Sequence, residues 1–270
     1  MSREKARAYW NDKAATSMLE ERQRKSGRFG ELYETCCWHY IEPLLPPRGA
    51  GRILEAGCGP GRWVFRLAPM GYRLELLDLA EEMIRHAAER VQQQGLEERV
   101  SAYHTLDICD MRGLSDGRFD LLLALGVPLS LCESPEQAVA EFARVTRPGG
   151  YVVCDFGNRY RRALDLFDRA KLAESVSALE GQWDELHRGI SLRYFAPWEL
   201  TSMFRAQGLE PLHLAAVCPL FGFPHSEEQV EMLADEEMFQ GVREMFFRYA
   251  ERPEVVALSG RLLIVAQAVE

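Results

Sequence analysis

The stretch Ile53–Trp63, ILEAGCGPGRW, sets three glycines (Gly57, Gly59, Gly61) into five positions directly after an apolar run that closes on an acid, Glu55. Glycine weakens regular elements but reaches dihedrals closed to other residues. Clustered at the end of a strand, it marks a tight turn or a close ligand. Residues 51–56 therefore read as a short buried strand, and Gly57–Gly61 as the turn at its carboxyl end.

The flanking sequence repeats this unit. YRLELLDLA (72–80) reads as a second strand ending at Asp78, and RVSAYHTLDI (99–108) as a third ending near Asp107. GRFDLLLALG (117–126) is a fourth with Gly126 at its tip, and YVVCDFGN (151–158) a fifth. Helices fall between them. GRWVFRLAPMG (61–71) predicts a helix from the last glycine of the turn to Gly71. EEMIRHAAERVQQQG (81–95) repeats Met83, Ile84, Ala87, Ala88 and Val91 at helical spacing. In SPEQAVAEFARVTRPGG (134–150), Ser134 caps, Pro135 takes the first helical position and Gln137 completes a capping box. Nearly all-apolar strands alternating with helices mean a parallel sheet covered on both faces.

Outside 51–157 the rhythm differs. Residues 1–50 read as helical, with Leu32, Cys36, His39 and Tyr40 on one stripe and Pro46-Pro47 ending it. Residues 159–180 read as one helix, 182–196 as a hairpin turning near Gly189, 197–208 as a helix and 209–217 as a strand. Residues 226–252 predict one or two acidic, Met/Phe-rich helices, and 260–269 a closing strand. The Met238, Phe239, Met245, Phe246, Phe247 cluster there reads as core or as a homodimer contact.

The bulk numbers exclude several classes. With 270 residues, 47% hydrophobic and 27% charged, the chain is neither disordered nor a membrane protein. No apolar run approaches the roughly 20 residues that span a bilayer, and the N-terminus lacks the apolar region of a secretory signal. A net charge of −9 argues against a nucleic-acid footprint. Seven cysteines without a C-x-x-C pair argue against a zinc site, and no metal is expected. Scattered free thiols suit a reducing cytoplasm.

In an open parallel sheet, ligands bind beyond the carboxyl ends of the strands, where the chain order reverses. Here those tips are Gly57–Gly61, Asp78, Asp107 and Gly126, which would face one crevice. Two cofactors use such a crevice. A dinucleotide sets its pyrophosphate on a helix N-terminus through G-x-G-x-x-G. The pattern here is G-x-G-x-G, with Arg62 where the third dinucleotide glycine would stand. Glu55, just before the turn, would repel a phosphate. It suits an ammonium or a positive sulfur, and S-adenosylmethionine carries both. Asp78, 17 residues after Gly61, is placed to accept from two ribose hydroxyls. Asp107 could accept from the adenine amine with Ile108 on the ring; Asp110 is the alternative.

In order and spacing, ILEAGCGPG, LELLDLA, TLDI, RFDLLLALG and RVTRPGG resemble the successive motifs of class I S-adenosylmethionine-dependent methyltransferases of the small-molecule type. The resemblance covers about residues 50–157, with a weaker echo in 193–211 and the last strand. It implies a Rossmann-like, seven-stranded, mostly parallel α/β sheet with helices on both faces and an antiparallel last strand. It implies that Ala56, Gly57, Cys58, Gly59 and Gly61 form the turn under the methionine part, with Glu55 near its amino group. It puts Asp78 on the ribose, Leu79 and Met83 beside the adenine, and Asp107 and Ile108 at the adenine edge. Leu125, next to Gly126, would offer a backbone carbonyl to the ammonium. S-adenosylhomocysteine would be the cofactor product.

The chain departs from the family in places. Ala80 stands where a Ser or Thr often caps the helix after the ribose acid, and Glu81 and Glu82 would compensate through the helix dipole. LGVPLSLC at the fourth tip lacks both the motif of amino-methylating DNA enzymes and the Pro-Cys of cytosine C5 enzymes. The expected acceptor is therefore a small molecule, with no nucleic-acid or membrane partner.

This gives an N-terminal helical lid (1–50), a cofactor-binding core (51–157) and the remainder of the same domain (158–270), with acceptor-pocket insertions at 158–195 and 218–252. A general base is needed only if the acceptor loses a proton. The candidates are His39, His187, His225 and Tyr194, although a lone histidine is more often structural. Tyr9, Trp10, Trp38, Tyr194 and Phe195 are aromatic lid candidates. The competing readings are an NAD-dependent oxidoreductase and a non-catalytic methyltransferase-like binding module.

Overall fold

The computed structural model describes residues 3–15, 18–182, 184–186, 190–217 and 227–269. In chain order the elements are α1 (Arg3–Ala15), α2 (Met18–Ile41, kinked at Gly27), β1 (Arg52–Ala56), α3 (Val64–Leu67), β2 (Arg73–Asp78), α4 (Glu81–Gln93), β3 (Val100–Thr105), β4 (Phe119–Ala124), α5 (Pro128–Leu131), α6 (Pro135–Val145) and β5 (Thr146–Asn158). There follow α7 (Arg159–Phe167), α8 (Leu172–Leu179), β6 (Asp184–Leu186), β7 (Ile190–Leu192), β8 (Tyr194–Phe195), α9 (Pro197–Arg205), β9 (Leu209–Val217), α10 (Glu227–Ala234), α11 (Glu236–Tyr249), α12 (Pro253–Leu258) and β10 (Arg261–Ala268).

Seven strands form the main sheet in the order β3-β2-β1-β4-β5-β10-β9. β1 to β5 are mutually parallel, and β10 runs antiparallel to both neighbours, β5 and β9. The expected sheet is therefore present, with one addition: two-residue β8 pairs in parallel with the end of β5. β6 and β7 form a separate antiparallel pair.

Each strand splits its side chains between two cores, as a period of two requires. Ile53, Leu121, Leu123, Leu263 and Val265 face α2, α3, α4 and α11. Leu54, Leu122, Ala124, Leu262 and Ile264 face α6, α9 and α12. The chain moves outward from β1 to β3, then returns past β1 to β4. That reversal opens a crevice at the tips of β1 and β4.

Three expectations need correction. The helix expected over 61–71 is a single turn, α3, followed by a 3₁₀ turn through Pro69, because the glycine turn uses up the residues before it. Residues 159–180 are two helices, broken at 168–171 where Ala170 takes a φ of 58°. In α2, Leu32, Cys36 and Tyr40 are buried, but His39 turns outward; the helix ends at Ile41, before Pro43. Of the Met/Phe cluster, Phe239 and Phe246 are core and Met238 and Phe247 are exposed.

Candidate active site

All three glycines of the turn have positive φ: 68° at Gly57, 53° at Gly59 and 75° at Gly61. Two are also demanded by packing. A Cβ on Gly57 would lie 2.8 Å from Pro128 Cβ, and one on Gly61 would lie 2.9 Å from Val64 Cγ1. A Cβ on Gly59 would meet nothing within 4 Å. Gly59 is therefore the glycine whose missing side chain opens onto the crevice.

Glu55 has a task within its own chain. Its Oε1 accepts from the N–H groups of Arg62 (3.0 Å) and Trp63 (3.1 Å), and its Oε2 from that of Val64 (3.1 Å). These are donors that the start of α3 would otherwise leave unpaired. The carboxylate faces the turn of its own chain and closes it, with Oε2 taking a single N–H. Burial pushes its pKa up, opposed by those three N–H groups.

Asp78 ends β2 and braces the same turn. Its Oδ2 accepts from Gly59 N–H (2.8 Å) and its Oδ1 from Ala80 N–H (2.9 Å). Each oxygen thereby keeps a second lone pair for another donor. Burial raises this pKa as well, against the same backbone donors. The Cys58 thiol is likewise pushed well up by burial, which leaves it an unreactive filler of the turn.

The third tip is covered by α1. Asp107 Oδ1 accepts from Cys109 N–H (2.9 Å), and Arg3 Nε lies 3.4 Å from its Oδ2. Asp110 turns instead to Arg112 on the surface (2.7 and 2.8 Å), which holds its carboxyl down at about 2. Ile108 is packed into the core of the α6 face rather than lying free in the crevice. Trp10 of α1 packs on Ala80 and Met83. Asn11 Oδ1 accepts from Glu82 N–H (3.2 Å) and so supplies to α4 the cap that Ala80 cannot give. The acids Glu81 and Glu82 are thus not the main compensation. Leu79 is half-buried, and Ala56 faces the core, leaving only its backbone at the tip.

At the fourth tip, Leu125 is half-buried, Gly126 is exposed with a φ of 101°, and Val127 holds a φ of 62° and a ψ of 36°. A β-branched residue there is an outlier that its surroundings must enforce. Asp155 of β5, fully buried, does so: its Oδ1 accepts from Gly126 N–H and Val127 N–H, both at 2.7 Å. Its Oδ2 accepts from Tyr33 Oη (2.9 Å) and Arg261 Nη1 (3.0 Å). Arg62 and Arg261 stack over the Tyr33 ring at 5.2 and 5.0 Å. Burial, and then Asp155, raise the Tyr33 pKa well above that of a free phenol, so the hydroxyl stays a donor.

Asp155, Tyr33, Arg261, Arg3 and Asn11 were all missed in the sequence. Asp155 alone left a trace there, as an acid inside the apolar run YVVCDFG, where a charge must find partners. Of the base candidates, His39 packs its ring on Phe247 (4.7 Å) and Phe246 of α11 and joins no strand tip. Tyr194 lies against Gly157 at the end of β5. His187 and His225 lie outside the described residues. Among the described residues, no group of His, Cys, Asp and Glu could hold a metal ion, and no helix is long and apolar enough to cross a membrane.

Residues 53–150, the turn and the first four tips included, match the family model described as "Methyltransferase domain". The chain is 28% identical over 215 residues to a malonyl-[acyl-carrier protein] O-methyltransferase of Erwinia pyrifoliae, covering 79% of this chain and 72% of that one. The chain carries a methyltransferase domain and resembles the class I S-adenosylmethionine-dependent methyltransferases. A ubiquinone biosynthesis O-methyltransferase of Maricaulis maris is 30% identical over 139 residues, 52% of this chain and 53% of that one. The 1,6-didemethyltoxoflavin-N1-methyltransferase of Burkholderia thailandensis shares the fold, with a TM-score of 0.62 at 17% identity over 100% of this chain and 92% of that one. That Burkholderia structure contains bound S-adenosylhomocysteine.

Proposed function

We propose that the chain transfers the methyl group of S-adenosylmethionine to a small-molecule acceptor by in-line displacement. The observation that carries this is the pairing of Asp78 with the open face of Gly59. An acid at the second tip holds the turn by one lone pair of each oxygen, beside a glycine whose Cβ position is empty. The residues fit the cofactor. Asp78 offers acceptors to the ribose hydroxyls, Gly57–Gly59 pass under the methionine part, and Leu79 and Met83 border the adenine with Asp107 at its edge. Leu125 and Gly126 present backbone at the ammonium end.

When bound, the cofactor supplies a methyl group already activated on a sulfonium. The protein's part is alignment and exclusion of water, and alignment alone can supply on the order of 7–11 kcal/mol. The acceptor would enter between the fourth tip, α2 and the 158–195 segment, with Tyr194 the remaining described candidate for moving a proton. The relatives that methylate oxygen support an O-acceptor as the first class to try. None of the six described cysteines is in a disulfide, which supports a reducing, cytoplasmic setting.

Calorimetry with S-adenosylhomocysteine and NADH tests the cofactor, and mass spectrometry of a small-molecule panel tests the acceptor. Binding of S-adenosylhomocysteine and not NADH is expected. The reverse would restore the oxidoreductase reading, and tight cofactor binding with no methylated product would favour a binding module.

A further inference from the structure

We propose that Asp155 is a positioning residue for the cofactor: it holds the Gly126–Val127 backbone in a conformation the chain would not otherwise keep, and so fixes the Leu125–Gly126 edge of the crevice. This rests on reading the crevice as the S-adenosylmethionine site. Both loop N–H groups converge on one oxygen of Asp155. The other oxygen is tied to Tyr33 on α2 and Arg261 on β10. A carboxylate is needed, because an Asn amide can accept on one side only. Turned towards the loop, its NH₂ would meet the two N–H groups and leave them without an acceptor; turned away, it would meet the hydroxyl and the guanidinium. Pro128 then locks the loop against the glycine turn, over the place where a Cβ on Gly57 would lie. One buried acid thereby joins the lid helix, the last strand and both halves of the crevice.

The loop conformation itself provides the test, since glycine adopts a φ near +62° without enforcement. D155N should weaken S-adenosylhomocysteine binding about tenfold or more, as donors lose their acceptor. V127G alone should bind like the unaltered protein, and D155N/V127G should recover most of the lost affinity. A residue needed only for folding would show no such rescue. Independently of any ligand, amide exchange in the unaltered protein should show Gly126 and Val127 protected by about a hundredfold, with less protection in Y33F. Unchanged affinity in D155N, a double variant as weak as D155N, or unprotected loop amides would each overturn the proposal. If D155N does not fold, the exchange comparison decides. If the unaltered protein binds no S-adenosylhomocysteine, the cofactor reading fails, while the exchange result still reads Asp155.

Discussion

At the tips of β1 and β2, the carboxylates of Glu55 and Asp78 are met, among the described residues, by backbone N–H groups of the glycine turn, the start of α3 and Ala80. At the tips of β4 and β5, Asp155 is met by two backbone N–H groups, a phenol and a guanidinium, with Tyr33 lying 122 positions away and Arg261 106 positions away. The first half of the crevice is assembled from neighbours in the chain, the second from its distant ends. Local assembly leaves a motif; distant assembly leaves isolated residues. The two halves should also fail differently.

The largest effect should come from Gly59→Val, which places a branched side chain in the open face of the turn. Binding of S-adenosylhomocysteine should fall below detection in calorimetry while circular dichroism still reports a folded chain. Gly57→Val should do the opposite and chiefly lower the melting temperature, since its Cβ meets Pro128. Equal behaviour of the two variants would erase the distinction between packing and ligand glycines.

Asp78→Ala should come next. It would remove the two charge-assisted hydrogen bonds proposed to the ribose, each worth about 1.5–3 kcal/mol, and it loosens the turn. An unchanged dissociation constant would remove Asp78 from the site.

A pH series sharpens the same half. Burial raises the pKa of Asp78 and of Glu55 in the folded protein. The folded state therefore holds protons that the unfolded chain releases, so stability falls as pH rises from the ordinary carboxylate range of about 3.9–4.3 through the raised values. Asp78→Asn should lack its part of that slope. Its melting temperature should gain on that of the unaltered protein as pH rises through this window, and a constant gap would show that Asp78 titrates normally. Asp110 acts with the opposite sign. Its pKa is held at about 2, so its contribution is present above the ordinary aspartate value and is lost on acidification towards 2.

The smallest effect should be that of Asn11→Ala, which removes a helix cap worth about 0.5–2 kcal/mol. Denaturant unfolding should show this loss. No loss would mean that α1 and α4 are held together without that cap.

The sheet was legible because its central strands are apolar on both faces and the first four tips are marked by glycine or an acid. The seven strands and the antiparallel last one were implied by the family resemblance, and the Ser134 cap by its Pro135 and Gln137 neighbours. Asp78 could be placed at a tip for the same reason. What the sequence hid were contacts with no spacing to betray them. Asn11 caps a helix 71 residues away, and Arg3 reaches Asp107 across the fold. The task of Glu55 in closing the turn was hidden because a charge can be satisfied by the chain's own amides as well as by a ligand. The two helices over 159–180 were read as one because a residue such as Ala170, unlike glycine, gives no sign that it will take positive φ.

β10 lies between β5 and β9 although it is synthesised after both. On a ribosome, β5 and β9 therefore emerge as two unjoined edges, each exposing a row of bare amides and carbonyls until residues 261–268 slide between them. Arg261 arrives with that strand and completes the neutralisation of Asp155. A nascent chain stalled before it would carry the family's motifs intact, yet hold a buried acid short of its counter-ion and a sheet open to joining with a neighbour's.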